Sequence, residues 1–359
     1  MKFVDEFRAA DPVLRCAERI ARATSRPWSI MEICGGQTHA IIRNGLDALL
    51  PAGLRLLHGP GCPVCVTPVA AIDRAIGIAS RPGVIFCSFG DMLRVPGSRE
   101  SLLEARSRGA ELHVVYSPLD ALALAEARPD REVVFFAIGF ETTAPTSAMA
   151  AWQAKRRGVK NFSLLVSQFR VPPAITALLA APDSRIDGFL AAGHVCAVMG
   201  CAEYHVLAAR ERIPIVVAGF EALDLMQAIL ACVEALEAGR YGVENAYRRV
   251  VRDEGNPAAQ KMLKEVFQIA TREWRGLGAI ADSALALSAD YADLDAERRF
   301  PATAQPAPDE HGCIAAELLR GVKSPLDCPH FGRLCTPEHP LGATMVSSEG
   351  VCAAFQRYR

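Results

Sequence analysis

The sequence predicts an α/β protein made of two Rossmann-like parallel-sheet domains and a small C-terminal cysteine-rich domain. Up to residue 219, short apolar runs alternate with helical patterns, which is typical of parallel sheets covered by helices. The runs have similar spacing in two successive halves of this region. Four of the twelve cysteines follow residue 312, so the end of the chain is expected to differ from the rest.

Eight apolar runs of strand length account for the two predicted sheets. Four lie in the first half, at residues 28–34, 54–59, 83–89 and 111–117. Four lie in the second half, at residues 132–140, 161–168, 187–193 and 213–219. Each half has about one hundred residues, a usual domain size, so the first domain is placed at residues 1–118 and the second at residues 119–219.

The pattern becomes helical after the second domain. Apolar residues at helical spacing predict one helix at residues 221–238 and a longer one at residues 244–274, which Gly276 and Gly278 end. This helical segment, residues 220–305, is expected to pack on the α/β domains.

Composition and charge indicate a cytoplasmic protein. The 359 residues are 51% hydrophobic and 22% charged, enough to bury a large core, and the net charge is −1 without long runs of one sign. Binding to nucleic acid or to a membrane is therefore not expected. Residues 1–8 lack the apolar core of a signal peptide, and no apolar run is long enough to span a bilayer.

The twelve cysteines divide into single and clustered ones. Five lie singly among apolar residues and are predicted to be small core residues: Cys16, Cys87, Cys196, Cys201 and Cys232. The other seven fall in two groups. In the reducing cytoplasm, clustered cysteines bind metal or do redox work more often than they form structural disulfides.

The first group consists of Cys34, Cys62 and Cys65, in two glycine-rich turns that follow predicted strands. In open parallel sheets the loops after the strands carry ligands, so these turns are expected at an active face. Gly35 and Gly36 would let backbone amides stabilise a reactive Cys34 thiolate. A glycine turn with an incidental buried cysteine explains the same residues.

Cys62 and Cys65 form a Cys-x-x-Cys motif, the spacing that closes a small disulfide loop or holds one metal ion between two thiolates. The position of the pair, at a helix start after a strand, also fits a thioredoxin-like site. However, Gly59-Pro-Gly61 and the nearby Cys34 are foreign to such a site. A mononuclear metal site with a redox-active pair fits the three cysteines better.

Three other residues in these loops are candidates for the site. His39 is a ligand, a proton donor or a satisfied core histidine, and the sequence leaves these alternatives open. Glu141 faces the site if Gly139-Phe-Glu-Thr-Thr143 forms an anion-binding helix start, although a plain helix cap explains the segment as well. His194 follows the glycine at the end of the seventh predicted strand.

The second group of cysteines consists of Cys313, Cys328, Cys335 and Cys352. A proline-rich stretch at 301–308 predicts a linker before them, and their domain is placed at residues 306–359. Four thiolates are the usual complement of a [4Fe–4S] cluster. Zinc is the rival, but structural zinc sites usually use short Cys-x₂₋₄-Cys pairs, which the tail lacks, so the spacing favours iron–sulfur.

Together these motifs closely resemble those of the HypD family of hydrogenase-maturation proteins, over nearly the whole chain. The matching segments are Cys34-Gly-Gly-Gln-Thr-His39, Gly59-Pro-Gly-Cys-Pro-Val-Cys65, Gly139-Phe-Glu-Thr-Thr-Ala-Pro145, Pro172-Pro-Ala174, Gly193-His-Val195, Gly219-Phe-Glu221, Glu254-Gly-Asn256, Trp274-Arg-Gly-Leu-Gly278, Cys335-Thr-Pro-Glu338 and Ser348-Glu-Gly-Val-Cys352. The resemblance implies two α/β domains and a smaller domain whose four cysteines hold a [4Fe–4S] cluster.

The resemblance also implies a function. Family members are expected to act with a small HypC-type chaperone as the scaffold on which iron receives the cyanide and carbon monoxide ligands of [NiFe]-hydrogenase. A HypE-type protein is expected to supply the cyanide as a thiocyanate. Carried over to this chain, Cys34 is the thiolate that holds the mononuclear iron, and Cys62 and Cys65 are the redox pair. All seven clustered cysteines are then candidate metal ligands, and His39 and Glu141 are further catalytic candidates.

The chain departs from the family pattern at two positions. Thr344 stands where members commonly have a further cysteine, and Cys313 lacks the second cysteine often found near it. Four cluster ligands remain. Whether the chain is an enzyme stays open. The alternative to a scaffold is a stand-alone iron–sulfur thiol–disulfide oxidoreductase. A zinc-stapled binding module is a third hypothesis.

Overall fold

The computed structural model of the chain describes residues 5–301 and 312–359. It confirms the predicted mixture of helices and parallel strands, and all eight predicted strands are present. Three further strands follow them. The strands of the described residues are β1 (Trp28–Glu32), β2 (Leu54–His58), β3 (Val84–Ser88), β4 (Glu111–Val114), β5 (Glu132–Gly139), β6 (Phe162–Phe169), β7 (Gly188–Ala192), β8 (Pro214–Ala218), β9 (Gly242–Asn245), β10 (Phe267–Trp274) and β11 (Gly278–Leu287).

Helices connect most of the parallel strands. The α-helices of the described residues are α1 (Ala10–Ala23), α2 (Gly35–Arg43), α3 (Pro63–Val66), α4 (Val69–Ala79), α5 (Leu102–Ser107), α6 (Pro118–Ala127), α7 (Ala144–Arg157), α8 (Val171–Ala180), α9 (Gly193–Met199), α10 (Ala202–Glu211), α11 (Ala222–Glu237), α12 (Pro257–Val266), α13 (Ala296–Arg299), α14 (Ala315–Leu319) and α15 (Val351–Tyr358). The helix predicted at residues 221–238 is confirmed as α11. Within residues 5–301 and 312–359, no helix combines the length and the apolarity needed to cross a membrane.

The strands form two sheets. The first has the order β2-β1-β7-β8-β9 and is parallel throughout. The second has the order β10-β11-β6-β5-β3-β4, with β10 and β11 antiparallel at one edge. Strands such as β1, β3, β5 and β7 are buried on both faces, as parallel strands covered by helices are.

Each sheet takes strands from both predicted halves of the chain. In the first sheet, β1 pairs with β7, and Ile30 lies opposite Gly188. In the second, β3 pairs with β5. The predicted boundary at residue 118 therefore does not coincide with the division of strands between the sheets. Apolar runs mark where strands are, but runs of similar composition do not specify which strands pair.

The prediction of one long helix at residues 244–274 is wrong. This region begins with β9, continues as the short helix α12, and ends in β10, which pairs with β11 as an antiparallel hairpin. Gly276 and Gly278, interpreted as a helix end, form the hairpin turn, with φ of +77° and +75°. Glycine adopts these left-handed angles without steric cost, and they serve a helix end and a tight turn equally well.

The C-terminal tail packs into the body of the protein. Its apolar side chains join the cores around the two sheets: Leu318, Val351 and Phe355 pack with residues of the first sheet, and Ala343 and Val346 with the core that both sheets share. Within the described residues the tail has no hydrophobic cluster of its own, so a separate C-terminal domain is not confirmed. Of the predicted linker, residues 302–308 lie outside the described part of the chain.

Candidate iron and thiol site

Cys34, Cys62 and Cys65 lie together at the carboxyl end of the first sheet. Cys34 precedes α2 and follows β1; Cys62 precedes α3, which contains Cys65, and follows β2. Because β1 and β2 are parallel neighbours, their following loops meet at the same edge. The sequence-based placement of the three cysteines at one edge of a sheet is therefore observed.

Two glycines allow the two cysteine loops to touch. A Cβ atom on Gly61 would stand 2.2 Å from the backbone nitrogen of Cys34 and 2.3 Å from its Cα. A Cβ atom on Gly35 would stand 3.1 Å from the Cβ of Cys62. The amide of Gly35 also donates to the carbonyl of Gly61 at 3.0 Å. Only backbone without a side chain fits between these loops, and this brings Cys34 next to the Cys-x-x-Cys pair.

The Cys34 thiol is buried against a histidine from the same sheet edge. Its Sγ lies 3.2 Å from Nε2 of His194, the second residue of α9. The other ring nitrogen, Nδ1, lies 2.9 Å from Oγ1 of Thr142, which follows β5 of the second sheet. Phe220 stacks on the imidazole with ring centroids 5.1 Å apart. The site is thus built where the carboxyl ends of the two sheets meet.

Burial determines the charge state of this contact. It raises the pKa of the Cys34 thiol well above its usual range, and nearby Glu349 and Glu32 add to the rise. Burial also lowers the pKa of His194 to about 4. At neutral pH the pair is therefore a thiol beside a neutral imidazole. When the thiol binds a metal it must lose its proton, and Nε2 of His194 is within reach to accept it.

Cys62 and Cys65 form a close, buried dithiol. The backbone amide of Cys65 donates to Sγ of Cys62 at 3.3 Å. Burial raises the pKa of Cys65, and the neighbouring Cys62 thiol raises it further. No disulfide joins the two sulfurs in the structure. Cys62 is therefore the sulfur of the pair that accepts a backbone hydrogen bond, as an attacking thiolate would.

The four tail cysteines lie within electrostatic range of one another. Burial raises the pKa of Cys352 to about 12, with a contribution from the negative charges of Cys313, Cys335 and Cys328. The charge of Cys352 in turn raises the pKa of Cys65, and Sγ of Cys65 lies 3.9 Å from the carbonyl of Ala343 in the tail. Cys352 and the backbone of Ala343 are therefore the parts of the tail that lie beside the Cys62–Cys65 dithiol.

His39 contacts the tail through both ring nitrogens. Nδ1 lies 2.9 Å from the carbonyl oxygen of Ser348, and Nε2 lies 3.3 Å from the hydroxyl of Tyr358. The two rings meet edge to face. These contacts join α2, which begins beside Cys34, to the C-terminal helix, so the predicted catalytic histidine has contacts suited to holding the tail in place.

Glu141 is fully buried, on the side of its loop that faces α8. Its Oε1 accepts the amide of Val171 at 2.9 Å, and in the described part of the chain its Oε2 has no hydrogen-bond partner. Burial raises the pKa of Glu141 to about 7. The next residue, Thr142, reaches His194. Glu141 therefore lies behind the contact to Cys34 and is not part of it.

Comparison with known proteins identifies the family. A family model described as HypD, the hydrogenase formation hypA family, matches residues 11–359. The chain belongs to the HypD family. It is 49% identical over its whole length to the hydrogenase maturation factor HypD of Azotobacter vinelandii, covering 97% of that protein. It is 48% identical to the proteins of the same name from Escherichia coli K12 and Rhodobacter capsulatus, covering 98% of each.

Thr344 contacts one of the tail cysteines of this HypD-family chain. Its hydroxyl donates to Sγ of Cys352 at 3.2 Å. Within residues 5–301 and 312–359, no three His, Cys, Asp or Glu side chains converge on one point where a single ion would bind.

Sequence reasoning missed a buried carboxyl in this HypD-family site. Glu32, the last residue of β1, accepts hydrogen bonds from the amide of Cys34 at 2.9 Å and from Nδ1 of His58 at 2.8 Å. The hydroxyl of Thr38 donates to the same carboxyl. The Glu32 carboxyl thereby holds the turn at Cys34 in place. The sequence does carry a signal for this carboxyl, because Glu32 is the one charged residue in a strand whose other residues are apolar or small.

We expect a Glu141→Gln variant to change how stability depends on pH. The rise of the Glu141 pKa from 4.5 to about 7 means that the neutral form is favoured in the fold, so the native protein loses stability as pH rises through this range. The variant cannot ionise there. Urea unfolding should show the variant gaining about 2 kcal/mol relative to the wild type between pH 5 and pH 8.

A Glu126→Gln variant is the matched control, because Glu126 is an exposed carboxyl on α6. It should follow the pH dependence of the wild type. If the two variants show the same pH dependence, burial of Glu141 does not disfavour its charge.

Proposed function

We propose that this chain is a hydrogenase maturation factor that acts in the cytoplasm as the scaffold for assembly of the Fe(CN)₂CO group of [NiFe]-hydrogenase. A HypC-type chaperone would share the iron, and a HypE-type protein would donate cyanide. The observation that carries the proposal is the buried Cys34 thiol, placed 3.2 Å from His194 and in contact with the loop that carries Cys62. The membership of the HypD family supports it.

Cys34 would hold the iron, which is the cargo of the reaction. Its thiol must lose a proton to become a ligand. His194 accepts this proton through Nε2, and Thr142 orients the ring through Nδ1. Since the pKa of His194 is about 4, the imidazole passes the proton on and does not store it. Phe220 covers the imidazole and limits the access of water.

Cys62 and Cys65 would release cyanide from the donor thiocyanate. The Cys62 thiolate attacks the thiocyanate sulfur, forms a disulfide with the donor cysteine and expels cyanide, which the iron at Cys34 receives. The Cys65 thiol then attacks this mixed disulfide, leaving a Cys62–Cys65 disulfide and the donor thiol. Two electrons have moved from the dithiol to the thiocyanate. The two protons of the dithiol end on the donor thiol and on hydrogen cyanide.

The tail would hold the group that restores the dithiol. Cys313, Cys328, Cys335 and Cys352 are the four thiolates that suit a [4Fe–4S] cluster. When bound, such a cluster supplies electrons one at a time, drawn from an external low-potential donor. The position of Cys352 beside Cys65 makes the route to the dithiol short.

An infrared spectrum tests the proposal. The chain is purified anaerobically with its small chaperone partner, and the spectrum is searched for stretches of metal-bound cyanide and carbon monoxide. Both kinds of band are expected. A complex that contains iron but shows neither band would overturn the scaffold.

A second function is a stand-alone iron–sulfur thiol–disulfide oxidoreductase. The Cys62–Cys65 pair, with the tail thiol of Cys352 near Cys65, favours it. Turnover of a small disulfide substrate without partner proteins would support this function, whereas one stoichiometric, retained iron complex would support the scaffold. A colourless protein after anaerobic purification would exclude both iron–sulfur functions and leave the zinc-stapled binding module.

A further inference from the structure

One short segment of the tail, residues 341–344, touches sulfurs of the second cysteine group. The backbone amide of Leu341 donates to Sγ of Cys335 at 3.4 Å. A Cβ atom on the next residue, Gly342, would collide with Sγ of Cys313. Two of the four tail sulfurs therefore lie against this segment, and Cys313 can do so only because glycine has no side chain.

Thr344, the last residue of the segment, contacts a third sulfur. Its hydroxyl donates to Sγ of Cys352 at 3.2 Å. Only 1% of Thr344 and 6% of Cys352 are exposed, so the hydrogen bond is shielded from water. A hydrogen bond is electrostatically stronger inside a protein than in water, because the effective dielectric constant is lower. The Thr344 hydroxyl is therefore placed to act strongly on any charge that the Cys352 sulfur carries.

The fourth tail cysteine, Cys328, shares a loop with Cys335. The amide of Cys335 donates to the carbonyl of His330 at 2.9 Å, which closes the loop. A Cβ atom on Gly312 would stand 3.3 Å from Nε2 of His330, so the loop packs beside the residue that precedes Cys313. These contacts gather the four cysteines in one part of the tail. Four thiolates are the donor set of a [4Fe–4S] cluster, so the residues present fit such a group.

The same segment also reaches the dithiol. Sγ of Cys65 lies 3.9 Å from the carbonyl oxygen of Ala343, the residue before Thr344. Ala343 is fully buried. Residues 341–344 therefore contact sulfurs of both cysteine groups, and a change at Thr344 acts where the two groups meet.

The hydroxyl of Thr344 favours the reduced form of a cluster bound through Cys352. Hydrogen bonds to the sulfurs of an iron–sulfur cluster help to set its reduction potential. A reduced cluster carries one more negative charge than the oxidised cluster. A hydrogen-bond donor stabilises the more negative form more strongly, and this raises the potential. Loss of the donor therefore lowers the potential, so that the cluster becomes harder to reduce.

We propose that Thr344 is a positioning residue that raises the reduction potential of the [4Fe–4S] cluster held by the tail cysteines, through the hydrogen bond from its hydroxyl to the Cys352 sulfur. The inference rests on the proposed function, which assigns the cluster to these cysteines. Thr344 binds no iron and acts through Cys352. By raising the potential, it makes the cluster easier for an external donor to reduce.

A Thr344→Val variant tests the proposal, because valine resembles threonine in shape but has no hydroxyl. The whole chain is purified anaerobically, and its cluster is reduced stepwise while electron paramagnetic resonance follows the signal of the reduced cluster. The midpoint of this titration is expected at a lower potential in Thr344→Val than in the wild type. Thr344→Ser, which keeps a hydroxyl, should return the midpoint to near the wild-type value.

Ser347→Ala is the matched control. Ser347 is also buried in the tail, but its Oγ accepts the amide of Glu349 at 3.3 Å. Its loss should leave the midpoint unchanged. If Thr344→Val does not fold, Thr344→Cys replaces the hydroxyl by a weaker S–H donor and should show a smaller fall in the midpoint.

Three results would overturn the inference, and they are distinguishable. Equal midpoints in the wild type and in Thr344→Val would show that the hydroxyl does not act on the cluster, whereas the cluster of the proposed function would stand. A fall of equal size in Thr344→Ser would assign the effect to altered packing. A wild-type chain without a reducible iron–sulfur signal would overturn the cluster itself, and this inference with it.

Discussion

Replacing Cys34 by alanine is expected to remove every infrared band of metal-bound cyanide and carbon monoxide from the chain and its chaperone complex. A thiolate is the strong iron ligand that this position offers, and a methyl group offers none. Visible absorption of the proposed iron–sulfur cluster should remain, because Cys34 is not one of the four tail thiols proposed to hold it. The loss of one buried sulfur should cost the fold only about 1–2 kcal/mol.

Cys232→Ala is the matched control for this variant. Cys232 is equally buried but lies on α11, and it contacts Gly188 and not the iron site. Its loss should leave both kinds of band in place. Bands that persist in Cys34→Ala would show that another residue anchors the iron.

A Cys62→Ala variant is expected to bind iron and keep its cluster absorption, yet to transfer cyanide at least about a hundredfold more slowly. The amide of Cys65 stabilises charge on the Cys62 sulfur, so Cys62 is the attacking group. Cyanide release should be measured with a thiocyanate-loaded donor protein and one equivalent of the chain. Transfer at the wild-type rate would exclude Cys62 as the nucleophile.

The neighbouring Cys65→Ala variant separates the two thiols of the pair. In this variant Cys62 can still attack the thiocyanate, but no second thiol resolves the product. A covalent complex with the donor protein should therefore accumulate, and it should disappear on addition of a reducing agent. A covalent complex in Cys62→Ala instead would reverse the roles of the two cysteines.

The strands were predictable from the sequence, but their pairing was not. Residues such as Ile30 and Met31 lie in a fully buried apolar run, which predicts β1 directly. Nothing in that run distinguishes Gly188 of β7 from any other partner. The positions of the strands were enough to predict that the three cysteines lie at one sheet edge. The contact between Cys34 and His194 was not predictable, because it depends on the pairing of β1 with β7.

The errors arose where one local pattern fits two structures. Phe267–Trp274 carries apolar residues that suit a helix face as well as the half-buried strand β10. The segment forms a strand because β11, which pairs with β6, provides a pairing partner for β10.

The pairing of β1 with β7 also dictates when the site around Cys34 can form during protein synthesis. A ribosome must add more than 150 residues after Glu32 before Leu190, its partner in β7, is available. The contacts of His39 with Ser348 and Tyr358 wait for the last residues of the chain. Closing such distant contacts is slow, since the loop entropy is lost before the contacts form. A nascent chain therefore presents Cys34 without its histidine, and the contacts around Cys34 are complete only in the finished protein.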